Sequence, residues 1–382
     1  MEAQQIQELF QQRFGQADLW IQSPGRINLI GEHTDYNEGY VLPAAIDKST
    51  YFGFRKNNSS KVQLLAANLD QSFQFDLKDI RKGDDLWANY LMGIADELLK
   101  IGVHLSGVDC VFGGNLPLGS GMSSSAALET GFAYGLNALF QGQLNRVELA
   151  QLCQRSSRQF VGIPCGIMDQ FAALMGRANH AIRLDCRSLE YDYIPLELND
   201  YQLVLLNTNV HHTLANSAYA DRVRECAEGV SLLQSYYPDI NSLRDATPAI
   251  LEEHRDAFDP KGWNRCYYVV QENERLIKAC DHLQLGQIEA LGQLMSQTHA
   301  GLSHLYEVSC AELDFLVEEA LQKAGVAGAR LMGGGFGGCT INLIRRDRVD
   351  QVIADLLEAY QQRFDREATP YFVKIGDGTR PL

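Results

Sequence analysis

The chain has 382 residues, 46% of them hydrophobic and 21% charged, with a formal net charge of −15 at pH 7. That length exceeds what one hydrophobic core usually serves, so two domains are expected. The acidic balance argues against nucleic-acid binding, which needs a basic face, and no apolar run approaches the roughly 20 residues that span a bilayer.

In chain order, alternating or β-rich runs predict strands at about 17–22, 40–55, 61–66, 71–76 and 107–113. Helical periodicity follows at about 86–101, 123–140, 145–160 and 167–176, then strand-like runs at 180–184 and 191–206. Beyond 215 the pattern is mostly helical (216–235, 265–281, 286–301, 310–324). It closes as strand 327–332, glycine loop, strand 338–344, helix 347–366 and strand 370–375. Strands mixed with helices in both halves indicate an α+β fold, divided near 190–205 and set here at 1–200 and 201–382. The N-terminus lacks the basic start and apolar stretch of a secretory signal. Nine cysteines stand singly without a Cys-x-x-Cys, so a cytoplasmic protein with reduced thiols and no zinc is expected.

Four stretches carry candidate chemistry. Residues 23–39 crowd Arg26, Asn28, Glu32, His33, Asp35 and Asn37 into twelve positions, punctuated by Gly25 and Gly31. Burying so many polar groups without partners costs several kcal/mol, so this stretch is expected to be a ligand-binding loop and not a core strand. Its carboxylates, imidazole and amides suit a polyhydroxylated ligand. Residues 114–129 read Gly-Asn-Leu-Pro-Leu-Gly-Ser-Gly-Met-Ser-Ser-Ser-Ala-Ala-Leu-Glu. Glycines permit a tight turn, and three serines open a helix whose unpaired N–H groups and dipole attract phosphate. No lysine follows the last glycine, so this is not the P-loop pattern. In an acidic chain such local dipoles, a few arginines and a metal must do the work of a basic field.

The third stretch, Gly162-Ile-Pro-Cys-Gly-Ile-Met-Asp-Gln-Phe, sets Asp169 among apolar neighbours, as a general base or as an idle acid at a helix start. The fourth, residues 330–342, has five glycines in six positions between two β-like runs. Cys165 has no obvious activating base nearby and is expected to be structural.

Together these stretches resemble the three motifs of the GHMP small-molecule kinases. Gly-Arg-x-Asn-Leu-Ile-Gly-Glu-His-x-Asp-Tyr in the first is similar to the galactokinases in particular. Cys165-Gly-Ile-Met-Asp-Gln-Phe, Leu184-Asp-Cys-Arg-Ser-Leu and Leu305-Tyr-Glu-Val-Ser-Cys-Ala-Glu-Leu-Asp extend the likeness over about 19–376. The resemblance implies an N-terminal ribosomal-protein-S5-like domain, a C-terminal ferredoxin-like domain and an active site in the cleft between them. It implies transfer of the γ-phosphoryl group of ATP to the C1 hydroxyl of α-D-galactose, with Mg²⁺ as cofactor and a monomeric enzyme. Asp169 matches the base and Arg26 the arginine beside it. Glu32, His33, Asp35, Gly166, Asp169 and Tyr219 match sugar contacts. Gly119, Ser120, Gly121, Met122, Ser123, Ser124 and Ser125 match the phosphate loop, with Ser124 or Ser125 on the metal. Trp87 matches a segment near adenine, with core packing the equal alternative, and the glycine loop 333–338 would shape the cleft.

The chain also departs from the pattern. The glutamate usual twelve residues before the aspartate, matched to magnesium, is Ser157, between Arg155 and Arg158. A basic residue ahead of Tyr219 is His211, and the usual Arg-Arg pair reads Arg222-Val223. Alternatives implied by the resemblance are an N-acetylgalactosamine or galacturonate kinase, and a non-catalytic sensor of galactose and ATP.

Overall fold

An amphipathic helix, Ala3–Phe14, opens the chain, its start closed by a capping box between Glu2 and Gln5. Ile6 and Phe10, four residues apart, lie on one helix face and pack on Tyr51, Leu65 and Val111. The computed structural model describes residues 1–210 and 215–382. Tyr51, Leu65 and Val111 belong to one face of a six-stranded sheet. Its order is Arg380–Pro381, Leu19–Asn28, Pro43–Lys56, Val108–Gly114, Lys61–Ala66, Gln71–Asp76. All pairs are antiparallel except Lys61–Ala66 with Val108–Gly114. Alternate residues (Phe52, Phe54, Leu64, Cys110) point to the other face, where helices Leu86–Lys100, Ser124–Leu139, Arg146–Arg155 and Met168–Met175 cover them.

A second, antiparallel sheet runs Val326–Leu331, Cys339–Arg345, Tyr201–Asn207, Thr369–Phe372. Helices Ala311–Leu321 and Val349–Phe364 pack on one side of it through Leu316, Val317, Leu356 and Tyr360. Cys339, Ile341 and Leu343 point the other way and join Ile27, Leu29 and Ile30 in a core cluster shared by both halves. A small third sheet pairs Tyr40–Val41, His180–Asp185 and Tyr191–Pro195. The chain's end returns to the first sheet: Thr379 N donates to Ala173 O at 2.7 Å, and Arg380 pairs with Gln22. The division at 200/201 does not include this return.

The α+β reading holds, with three corrections. Residues 23–28 are not loop but the buried end of the strand Leu19–Asn28. Most of the polar groups have partners, which removes the penalty that argued against burial: Ser23 Oγ lies 2.9 Å from both Thr130 and Thr379, and Arg26 pairs with Asp169. The run 191–206 is two strands in different sheets, broken at Asn199, whose φ is +49°. The helix expected over 145–160 changes at Ser156 into a π-helical turn, Ser156–Val161, a rare form that alters side-chain direction and is frequent at functional sites.

Candidate active site

A register shift between Pro24 and Arg26 marks a β-bulge, which re-aims the arginine off the sheet. Only glycine fits at the bulge, because a Cβ on Gly25 would lie 2.6 Å from Met122 O and 2.5 Å from a Leu116 methyl. Arg26 is buried and grips Asp169 with two parallel bonds, Nε–Oδ1 at 2.7 Å and Nη2–Oδ2 at 2.9 Å, while Nη1 donates to Gly121 O at 2.6 Å. Such fork-on-carboxylate geometry fixes orientation as well as charge. Asp169 lies in the first turn of Met168–Met175, and its side chain remains partly open to the cleft.

Around that pair the cleft is lined by Glu32, His33, Asp35, Ser125, Glu129, Ser157, Gly166, Gln170, Tyr219, Gly333 and Gly334. Gly166 abuts Asp35 so closely that a Cβ would meet Asp35 Oδ2 at 1.6 Å. Burial, then the neighbouring Asp169 charge, pushes the Asp35 carboxyl up to about 6. Glu32 is buried, and its Oε1 accepts from Arg330 Nη2 at 3.0 Å and Gly333 N at 2.8 Å. The glycine loop thus reaches the first motif directly. The fully buried Arg330 also donates to Leu29 O at 2.9 Å, to Leu331 O at 2.6 Å and to Asn28 O.

His33 reaches the cleft, but both ring nitrogens have protein partners: Nδ1 with Tyr36 Oη at 2.8 Å and Nε2 with Gly334 O at 3.2 Å. Burial, reinforced by Arg222, lowers its pKa to about 4, so the ring is neutral. Neutral, it donates from Nε2 to the carbonyl and accepts from the tyrosine hydroxyl. With Tyr36, Tyr219 and Tyr306 it forms an aromatic wall, at ring-centroid separations of 4.9–5.8 Å.

The phosphate-loop residues divide by role. Gly119 and Gly121 turn the backbone with φ of +69° and +77°, and Ser123 follows at +57°. Ser120 is buried and donates to Pro117 O at 2.9 Å, and Met122 packs in the shared core. Ser123 Oγ donates to Asp169 Oδ2, so that hydroxyl orients the aspartate. Ser124 and Ser125 face different spaces. Ser125 lines the polar cleft, whereas Ser124 lines a mostly apolar cavity with Trp87, Phe112, Leu116 and Leu118. Trp87 packs on Phe73 and Phe112 and also walls that cavity, with Nε1 donating to Gln71 Oε1 at 2.8 Å.

The flanking arginines point elsewhere. Arg155 pairs with Glu97, and Arg158 Nε donates to Cys165 O at 2.7 Å, bracing the loop before Asp169. Arg222 pairs with Glu225, and His211 lies outside the described residues. Burial pushes the Cys165 thiol up to about 12, which leaves it unreactive.

Sequence reasoning missed Glu129, Gln170 and the partner of Ser157. Glu129 Oε1 accepts from Ser157 Oγ, and its Oε2 from Gln170 Nε2 at 3.2 Å. Glu129 is fully buried, and burial, opposed by those two bonds, pushes its carboxyl up to about 8. The signal was its spacing, four residues after Ser125 and therefore on the same helix face. Among the described residues no three acidic, His or Cys side chains converge on a metal position. Magnesium still fits here, because it needs only one or two carboxylates beside phosphates and water. Gln170 Oε1, buried and without a partner among the described residues, supplies another hard oxygen at the cleft.

Three family models match: the galactokinase galactose-binding signature over residues 8–56, and the GHMP kinase N-terminal and C-terminal domains over 89–177 and 276–362. The chain is 40% identical to a galactokinase of Roseiflexus sp., over 98% of this chain and 96% of that one. It is 41% identical to a galactokinase of Clostridium acetobutylicum, over 94% of each. Its fold superposes on Lactococcus lactis galactokinase complexed with galactose at TM-score 0.95, with 37% identity and 99% of each chain covered. Methanococcus jannaschii mevalonate kinase shares the fold alone (TM-score 0.65, 17% identity, 95% and 100% covered).

Proposed function

The chain belongs to the galactokinase family of the GHMP kinases, and we propose that it transfers the γ-phosphoryl group of ATP to the C1 hydroxyl of α-D-galactose. The observation that carries this reading is the two-bond Arg26–Asp169 pair, open to a cleft walled by Glu32, Asp35 and Tyr219.

Phosphoryl transfer passes through a loose transition state, so in-line placement and electrostatic stabilisation supply most of the rate. Asp169, oriented by Arg26 and Ser123, receives the C1 hydroxyl. It takes the proton late, as the oxygen bonds to phosphorus, when the hydroxyl has become acidic enough for a carboxylate to serve. Arg26 fixes the orientation of Asp169 through its two bonds and lends positive charge to the transferring group. Glu32 Oε2, which has no hydrogen-bond partner among the described residues, Asp35 and the Gly166 backbone accept or donate to the sugar's hydroxyls, and Tyr219 closes one side. His33 supports this wall through Tyr36 and Gly334 and does not spend a free nitrogen on sugar.

The turn at Gly119–Ser123 offers backbone N–H groups to the phosphates, and the Trp87 cavity on its other side suits the adenine. Residues 1–200 hold most of these groups, and 201–382 contribute Tyr219 and the glycine loop. Magnesium fits Ser125, on the cleft side, and not Ser124; when bound it neutralises charge on the phosphates. Nine cysteines free of disulfides suit a reducing cytoplasm, and a cleft formed by one chain suits a monomer. Among the described residues no helix is long and apolar enough to cross a membrane.

The test is ADP release with Mg·ATP and, separately, galactose, glucose, N-acetylgalactosamine and galacturonate. Turnover with galactose alone is expected. Galactose bound in calorimetry without turnover would make the chain a sensor, and preference for either derivative would move the substrate assignment.

A further inference from the structure

Glu129 has no use in the reaction as described, yet it is a fully buried acid facing the active cleft. It lies one helical turn beyond Ser125, on the same face of Ser124–Leu139. The π-helical turn Ser156–Val161 brings Ser157 against it from one side, and Gln170 touches it from another. Both neighbours are neutral donors, and no Lys, Arg or His among the described residues pairs with it. The cation beside the cleft, Arg26, is committed to Asp169 and Gly121 O. Buried carboxylates are ordinarily paired with a cation or coordinate a metal, and this one has neither.

A second observation points the same way. Gln170 is 4% exposed and lines the cleft, and its Oε1 is buried with no hydrogen-bond partner among the described residues. A lone carbonyl oxygen there lacks a donor or a cation. Ser125 Oγ, Glu129, Ser157 Oγ and Gln170 Oε1 together make a set of hard oxygen donors of the kind Mg²⁺ and Mn²⁺ take.

We propose that Glu129 is the carboxylate that binds the nucleotide's divalent cation in this chain, with Gln170 Oε1 beside it, so that the absence of an acid at Ser157 is made good from the neighbouring helix. The proposal rests on the kinase reading above.

The test measures Mn²⁺ binding by electron paramagnetic resonance, with and without the non-hydrolysable nucleotide AMP-PNP, in the parent, E129Q, S157E and E129Q/S157E. E129Q keeps shape and hydrogen-bonding capacity. It should weaken Mn²⁺ in the nucleotide complex by about tenfold or more, leaving galactose binding and metal-free AMP-PNP binding unchanged. E129Q/S157E should recover most of the loss, because a carboxylate then stands across the contact that Ser157 makes today. If folded E129Q binds Mn²⁺ as the parent does, Glu129 is a structural acid and the proposal falls. Should E129Q not fold, E129D keeps the charge and withdraws it by one methylene. The same loss is expected there, and unchanged Mn²⁺ affinity in folded E129D overturns the assignment. The two readings fail separately. A parent that binds Mn²⁺·AMP-PNP through Glu129 but never turns over galactose defeats the kinase reading alone. A parent that turns over galactose with an indifferent E129Q defeats this one alone.

Discussion

Asp169 and Asp35 are both carboxylates at one cleft, and their surroundings give them different work. Asp169 is held by two arginine bonds and one serine bond, which orient it toward a reacting hydroxyl. Asp169→Asn should therefore keep galactose binding in calorimetry while kcat falls by about 10²–10⁴-fold, the usual worth of a positioned acid–base group. Parental turnover in that variant would sink the assignment. Asp35 pairs with no cation among the described residues, and burial, then the Asp169 charge, raises its carboxyl to about 6. The usual sign for an acid is thus reversed. The folded form binds the proton more tightly than the unfolded chain, so this group's stabilising contribution is complete below about pH 4 and is lost as pH rises through about 6. Two consequences should appear together. KM for galactose should climb, by up to about tenfold per pH unit, below pH 6, because the sugar must displace a proton. Asp35→Asn should stabilise the unliganded protein at pH 7.5 by roughly 1–2 kcal/mol after discounting for the open cleft, raising its melting temperature, while losing sugar affinity. A flat pH profile of KM, or a less stable Asp35→Asn, would contradict the electrostatic account.

The strands and turns show why the sequence was partly legible. Hydrophobic period identified most strands and helices, and glycine and serine punctuation found the phosphate turn, because those signals are local. Residues 23–28 were misread, because their polar character carries no record of partners 100 or 350 residues away, such as Thr130 and Thr379 for Ser23. The split of Ser124 from Ser125 was invisible for a similar reason: it depends on which face of Ser124–Leu139 meets which helix. The strand Val326–Leu331 gives the clearest case. Nothing local in the sequence marks Arg330 ahead of the glycine loop, yet it is fully buried and binds Glu32 and three backbone carbonyls. Arg330→Met should cost about 3–5 kcal/mol, since it strands the buried Glu32 charge. Among folded variants, Arg330→Lys should raise KM for galactose with KM for ATP nearly unchanged. An equal rise in both would mean that Arg330 supports the fold generally and not the sugar side of the cleft.

The whole molecule is tied across its middle more tightly than a division into two sequence halves implies. Ile27, Leu29 and Ile30 share one cluster with Leu205, Met295 and Ile341, and Arg330 with Gly333 clamps Glu32 from the opposite half. The chain's last strand then pairs with Leu19–Asn28, and Thr379 is buried between Ser23 and Ala173. Neither half can open without exposing apolar surface of the other, so thermal unfolding should be one cooperative transition. Galactose, if held by residues from both halves as proposed, should move that single transition upward as a unit, stabilising by about 2.7 kcal/mol at a hundredfold excess over Kd. Removing residues 376–382 should lower the melting temperature and weaken galactose together, since it frees the strand that carries Arg26 at its other end. Calorimetry separates the possibilities. Two transitions, with galactose shifting only the earlier, would show that the halves melt independently and that the shared cluster contributes less than its burial suggests.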